Sequence, residues 1–199
     1  MAEGSRGLFS AQVERALQAS LGAHHGQERK GERTPYVAHP FHVALILASA
    51  GGDEVMLQAA LLHDVVEDCE GWTLARVEAE FGIDVARIVG DLTEVEGGTW
   101  EVRKEAALAQ VAHMQADALA VKAADKLHNM RSLLARLEAE ADAESVWKVF
   151  SRGPGPTIDY ARRLSGALAA RFEEVGQYEA LGVELQEVVG RLERYLPAS

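Results

Sequence analysis

The chain has 199 residues, 48% hydrophobic and 26% charged, enough for one domain that buries a core without disulfides or a structural metal. A formal net charge of −11 argues against general DNA or RNA binding, whose affinity comes from Lys and Arg on phosphates. A small anionic ligand stays open, because a bound cation and a few local basic groups can reverse the field inside one cleft.

Cys69 is the single cysteine, so an intrachain disulfide is excluded and a reducing compartment is expected. The first 15 residues carry no secretory-type apolar run, and the longest apolar stretch worth checking, 43–50, is too short for a bilayer. A cytoplasmic protein with no membrane partner is expected.

Helical periodicity dominates the chain, with no internal repeat and no convincing period-two alternation. Val13, Ala16, Leu17, Ser20, Leu21 and His24 form a helical stripe that Gly26 ends. A polar segment, 27–34, leads to Pro35, and a short helix starts near His39 with Pro40 in its first turn. Gly51-Gly52 stops it. Asp53 caps an apolar, central helix over 54–67, and Thr73 caps another over 74–81 that Gly82 closes.

Further helices fit 84–95, 100–114 and 117–138, with a flexible Gly97-Gly98 joint between the first two. The Gly153-Pro154-Gly155-Pro156 run is the strongest breaker and precedes helices near 157–175 and 177–196. The expected architecture is an all-α bundle of about ten helices in a single domain, 1–199. Its body spans about 8–138, with a C-terminal helical pair at about 157–196 packed on it.

Chemistry concentrates in the segment AALLHDVVED at 59–68, where four polar groups end an otherwise apolar helix at a cost unless something pairs with them. Adjacent helical positions point about 100° apart, so His63 and Asp64 can flank one ion lying between their directions. His39 can add a third ligand and Asp125, a carboxylate within an apolar helix, a fourth. Two imidazoles and two carboxylates with open positions suit Mn²⁺, Fe²⁺ or a similar ion better than a closed zinc site. Glu67 and Asp68 lie four residues beyond His63 and Asp64, where they could orient a water and take its proton. Asn129 is likewise four beyond Asp125. Arg29-Lys30 is the clearest local exception to the acidic balance.

Taken singly, each feature has a plainer reading. His63-Asp64 can be a surface or capping pair, Asp125 a buried partner of Lys126 or Lys122, and Glu67-Asp68 a solvated helix end. Together, in this order and on helices able to converge, they read as one site.

These residues carry a resemblance. PYVAHP at 35–40, AALLHDVVED at 59–68 and KAADKLHNMR at 122–131 resemble the hydrolase domain of RelA/SpoT proteins, an HD-type fold, over roughly 10–135. AHHGQERK at 23–30 is similar to the segment before that family's first metal histidine. The resemblance implies removal of the 3′-pyrophosphate from ppGpp and pppGpp. It implies His39, His63, Asp64 and Asp125 as ligands of one Mn²⁺, and Glu67 and Asp68 as the pair preparing the attacking water. It further implies Arg29, Lys30 and Asn129 as contacts to the nucleotide, with Arg29 suited to stacking on guanine.

No synthetase domain is expected to follow, so the chain resembles a stand-alone small alarmone hydrolase with a small nucleotide as partner and an open oligomeric state. Cys69 stands where a threonine is usual, and 100–104 aligns too loosely to show whether Arg103 or Lys104 reaches a phosphate. Residues 140–199 match weakly, and Tyr160 is expected to pack in the core rather than line the pocket. His24, His25, His42, His113 and His128 are expected outside the ligand set, whose four places are filled. The same fold and metal would serve the 2′-phosphate of NADPH or an adenine alarmone, or a nucleotide sensor without catalysis.

Overall fold

The computed structural model describes residues 10–94, 97–140 and 142–196. Among these the architecture is all-α, as expected: eleven α-helical segments and a closing 3₁₀ turn, with an isolated bridge between Glu28 and Pro35 and no strand. No helix among the described residues is long and apolar enough to cross a membrane.

α1 (Ala11–Ala23) begins at Ser10, whose side chain accepts from the Val13 amide. The segment after it doubles back, with the Arg29 amide donating to the Thr34 carbonyl and the Tyr36 amide to the Gln27 carbonyl. That pinned turn places Arg29 and Lys30 along one cavity. α2 (Ala38–Ser49) follows, with His39 and Pro40 in its first turn.

The helix expected over 54–67 is two helices. α3 (Glu54–Leu62) ends at His63, and α4 (Val65–Asp68) restarts after Asp64. His63 supplies a cause: its Nδ1 lies 2.7 Å from the Ala60 carbonyl, which an unbroken helix would give to the Asp64 amide. α5 (Leu74–Phe81) and α6 (Ile83–Leu92) keep the expected start and turn, but α6 ends at Thr93. The expected helical residue Val95 lies outside the described residues.

α7 (Trp100–Val111) is three residues shorter than its expected range, and α8 (Ala116–Ala139) runs 24 residues. α9 (Ala143–Trp147), capped by Asp142, is too short for periodicity to reveal. α10 (Pro154–Val175) takes the proline-glycine run as its own first turn, where proline's missing N–H costs nothing. α11 (Glu179–Leu192) and the 3₁₀ turn Glu193–Tyr195 replace one expected helix.

Two helices organise the packing. α3 is buried on most sides and touches α1, α2, α6 and α8. α8 runs beside α2, α3 and α6 on the body and also beside α10 and α11. Ala118, Ala120, Ala123 and Ala124 are fully buried on α8, so neighbouring backbones approach it closely. α10 and α11 come together at Gly182, where an added Cβ would lie 3.1 Å from the Phe172 ring. Leu185 of α11 and Phe172 of α10 both belong to the one buried core.

Leu185→Ala should therefore destabilise the whole protein by about 2–5 kcal/mol in urea unfolding, in one transition. A change below about 1 kcal/mol, or a separate transition for the C-terminal pair, would contradict this packing.

Candidate metal centre and adjoining cavity

The break between α3 and α4 turns His63 and Asp64 toward the start of α2 and the middle of α8. His39, His63 and Asp125 each offer a donor atom within 4.8 Å of the others, and all three residues are buried. His39 Nε2 lies 3.3 Å from Asp125 Oδ1 and 3.5 Å from Asp64 Oδ2. His63 Nε2 lies 3.1 Å from Asp64 Oδ2 and 3.9 Å from Asp125 Oδ1. The four side chains expected to meet are thus brought together, with a carboxylate oxygen of Asp64 and one of Asp125 each within 4 Å of both imidazole nitrogens.

The surrounding contacts aim these groups. His63 turns Nδ1 to the Ala60 carbonyl, which must accept, so its Nε2 is the nitrogen facing the carboxylates. Asp64 accepts a 2.6 Å hydrogen bond from the Tyr36 hydroxyl, and Asn129 Nδ2 donates to Asp125 Oδ1 at 2.6 Å. Lys126 pairs with the other Asp125 oxygen at 2.8 Å. The plain reading of Asp125 as a partner of Lys126 therefore holds for one oxygen, while the second faces the imidazoles. Neither Tyr36 nor its role carries a sequence signal beyond the PYVAHP motif.

Charge is crowded and largely dry. Burial opposes a charge on His63, but Asp64 outweighs it and raises His63 to about 9. Asp64 is in turn held below the carboxylate range by His63, against burial. Burial also opposes ionisation of Asp125, yet Lys126 and then His39 hold it well below its usual value. For His39 burial wins over Asp125, and its pKa falls. His128 is pushed down to about 3 by burial and by His39.

A metal fits these residues. His63 Nε2 is enclosed with no aligned hydrogen-bond partner, although a carboxylate oxygen stands 3.1 Å away. A divalent cation would satisfy that nitrogen, and two imidazoles with two carboxylates form a suitable donor set without a thiolate. Cys69 lies apart, its Sγ 3.3 Å from His24 Nδ1.

Glu67 borders a small cavity of about 50 Å³ together with His63, Asp64 and Asp125. Its Oε1 accepts the Glu94 amide at 2.5 Å, and its pKa is raised, by burial first. Asp68 does not border that cavity. It lines the adjoining open cleft with Glu67 and Arg103, its carboxyl also raised by burial and by Asp64. Asp68 stands one turn beyond Asp64, its amide donating to the Asp64 carbonyl at 2.9 Å, whereas the turn at His63-Asp64 interrupts the helix that would relate His63 to Glu67.

Arg29, Lys30 and Asn129 all line a cavity of about 310 Å³, where Arg29 Nη2 donates to Asn129 Oδ1 at 3.1 Å. Lys104, Lys126 and Arg136 add positive charge, and Trp100 and Phe150 add aromatic surface. Tyr160 lines this cavity as well as packing against the core, which corrects the expectation of core packing alone. Lys104 reaches the cavity and pairs with Glu94, whereas Arg103 opens onto the neighbouring cleft. Buried Lys122, passed over in the sequence except as a partner for Asp125, borders the small cavity with its pKa lowered to about 8 by burial and Lys126.

A family model described as HD domain matches residues 16–152. The human guanosine-3′,5′-bis(diphosphate) 3′-pyrophosphohydrolase MESH1 is 43% identical over 130 residues, covering 64% of this chain and 72% of that protein. A probable guanosine-3′,5′-bis(diphosphate) 3′-pyrophosphohydrolase of Synechocystis is 40% identical over 115 residues, only 15% of its own length. Among solved structures, a metazoan orthologue of SpoT that hydrolyses ppGpp superposes with a TM-score of 0.76 at 30% identity. It covers 93% of this chain and 97% of that one. A Listeria monocytogenes protein superposes at 0.68 with 33% identity, covering 78% and 99%.

The charge balance sets a pH test on metal-free protein. A histidine whose pKa is raised on folding contributes fully below its unfolded value, here 6.5, and loses that contribution as pH rises through about 9. The depressed Asp64 and Asp125 act at the other end, contributing above the carboxylate range and failing as pH drops through it. Lys122 works the other way, since a lysine lowered to about 8 on folding destabilises less as it deprotonates, offsetting roughly 1 of the roughly 2 kcal/mol that His63 loses between pH 7 and pH 9. Urea unfolding with chelator present should therefore show about 1 kcal/mol less stability at pH 9 than at pH 7. Equal or greater stability at pH 9 would contradict the His63–Asp64 pairing.

Proposed function

We propose, from the premise that this chain belongs to the HD-domain family, that it hydrolyses the 3′-pyrophosphate of guanosine alarmones. The products are GDP or GTP and pyrophosphate. One observation carries the reading: a buried His/Asp cluster fit for a cation adjoins a basic, aromatic-walled cavity, with Asn129 hydrogen-bonded to both Asp125 and Arg29. The chemistry named for the human relative supports it.

In this reading His39, His63, Asp64 and Asp125 hold one divalent ion, Mn²⁺, with Fe²⁺ an acceptable substitute. When bound, the ion screens the charge of the 3′-diphosphate and makes water more acidic. The chain's own residues do the rest. Arg29 stacks on the guanine face and Asn129 holds the nucleoside, while Lys30 and Lys104 neutralise phosphate charge.

Glu67 takes the proton of the attacking water, whose oxygen bonds to the phosphorus on the 3′-oxygen. The bond from that phosphorus to the 3′-oxygen breaks, pyrophosphate leaves, and the 3′-oxygen regains a proton from solvent. Burial raises the Glu67 carboxyl toward neutrality, which suits a general base. Asp68 assists by keeping the water oriented.

Purified protein with Mn²⁺ and ppGpp should release pyrophosphate, and Asp64→Ala should abolish that release. Orthophosphate as the product would refute the 3′-pyrophosphate assignment. A parallel panel of pppGpp, adenine alarmones and NADPH tests the base pocket, with guanine alarmones expected to turn over fastest. Nucleotide binding without turnover in Mn²⁺ would mean a sensor.

Glu67→Gln should lower kcat by about 10²–10⁴-fold with KM little changed, measured as initial rates of pyrophosphate release. An unaltered kcat would remove Glu67 from the proton transfer.

A further inference from the structure

We propose that His128 is a positioning residue for the metal centre: its Nδ1 accepts the Nδ1–H of His39 and fixes the tautomer whose Nε2 is free for a cation. The inference rests on His39 being a metal ligand, as argued above.

The two Nδ1 atoms stand 2.7 Å apart, and His39 is 2% exposed. At that distance one proton lies between two ring nitrogens, so one ring donates and the other accepts. A cation at His39 Nε2 needs a lone pair there, which leaves the His39 proton on Nδ1. His128 must then be the acceptor and carry its own proton on Nε2.

His63 shows a different solution to the same problem. Its Nδ1 faces a backbone carbonyl, which can only accept, so its tautomer does not depend on another titratable ring. His39 faces a ring that can either donate or accept. Without a cation, the proton of His39 can sit on Nε2, 3.3 Å from Asp125 Oδ1, with His128 donating instead. From that state, a cation taking the His39 Nε2 lone pair sends the Nε2 proton to solvent, the shared proton passes from His128 Nδ1 to His39 Nδ1, and His128 Nε2 takes up one proton from solvent, so the direction of the bond reverses and both rings stay neutral.

The placement supports this role. His128 lies on α8 three residues after Asp125 and next to Asn129, so one helix supplies a carboxylate ligand and orients two ligands. The His42 ring packs against His128 with centroids 4.7 Å apart, and the His39 and His128 rings sit 4.9 Å apart at 36°. His42 thus helps keep the acceptor ring in place. Partners of this kind typically change metal affinity by 10–100-fold when removed.

Two substitutions separate acceptor from bulk. In His128→Leu a methyl stands where Nδ1 was, and in His128→Asn an amide oxygen does. Mn²⁺ affinity, read from the free-ion signal in electron paramagnetic resonance, should weaken about 10–100-fold in His128→Leu. In His128→Asn it should return to within about threefold of the parent. Unchanged affinity in His128→Leu, or equal weakness in both variants, would overturn the proposal.

A second measurement needs no variant. With ¹⁵N-labelled histidine and Zn²⁺ as a diamagnetic probe, His39 should show a protonated Nδ1 and His128 a bare Nδ1 with protonated Nε2. The reversed pattern would also overturn it. Parent protein that bound no Mn²⁺ would instead remove the reading of the site, and this inference with it.

Discussion

The fold is built around a concentration of charge that water cannot reach freely. Two imidazoles and two carboxylates meet in the interior, and each changes the ionisation of the others. Such a cluster is costly to bury, and it persists because every member has a hydrogen-bonding or ionic partner. Tyr36 holds Asp64, Asn129 and Lys126 hold Asp125, the Ala60 carbonyl holds His63, and His128 holds His39. Removing one partner leaves a buried charge exposed to the low dielectric, which is why these side chains act as a unit.

α8 ties this cluster to the neighbouring cavity. Asp125 and Asn129 stand one turn apart on it, so the hydrogen bond from Asn129 to Asp125 and the one it accepts from Arg29 run continuously from cluster to cavity. The pinned turn after α1 brings Arg29 and Lys30 to the same place by backbone bonds rather than by a helix. A net acidic chain thereby presents a locally basic pocket, with Lys104, Lys126 and Arg136 facing inward. The sign of the whole molecule and the sign of its pocket are independent facts.

Much of this was legible from residue order, and the gaps have physical causes. Long periodic segments announced α1, α8, α10 and α11 within a few residues, because each buries a stripe, while Pro40 and Gly51-Gly52 bracketed the short α2. The break at His63-Asp64 was not legible: a side chain competing for a backbone carbonyl leaves no mark on apolar spacing. α9 was missed because five residues hold too little periodicity, and the proline-glycine run before α10 read as a breaker although it starts that helix. At the site, motif residues converge as their types suggested; Tyr36 was inside a motif without a readable role, Lys104 and Trp100 lie in a segment that aligned only loosely, and Phe150 joins from a segment with no motif at all. Glu67 borders the small cavity with the cluster, whereas Asp68 lines the neighbouring cleft.

The central claim is that four side chains from three parts of the fold share one cation. Anomalous diffraction from crystals soaked in Mn²⁺, collected on both sides of the manganese edge, tests it directly. The account predicts one strong peak within about 2.0–2.3 Å of His39 Nε2, His63 Nε2 and the nearest Asp64 and Asp125 oxygens. Full-occupancy manganese elsewhere with none between these four side chains would contradict it.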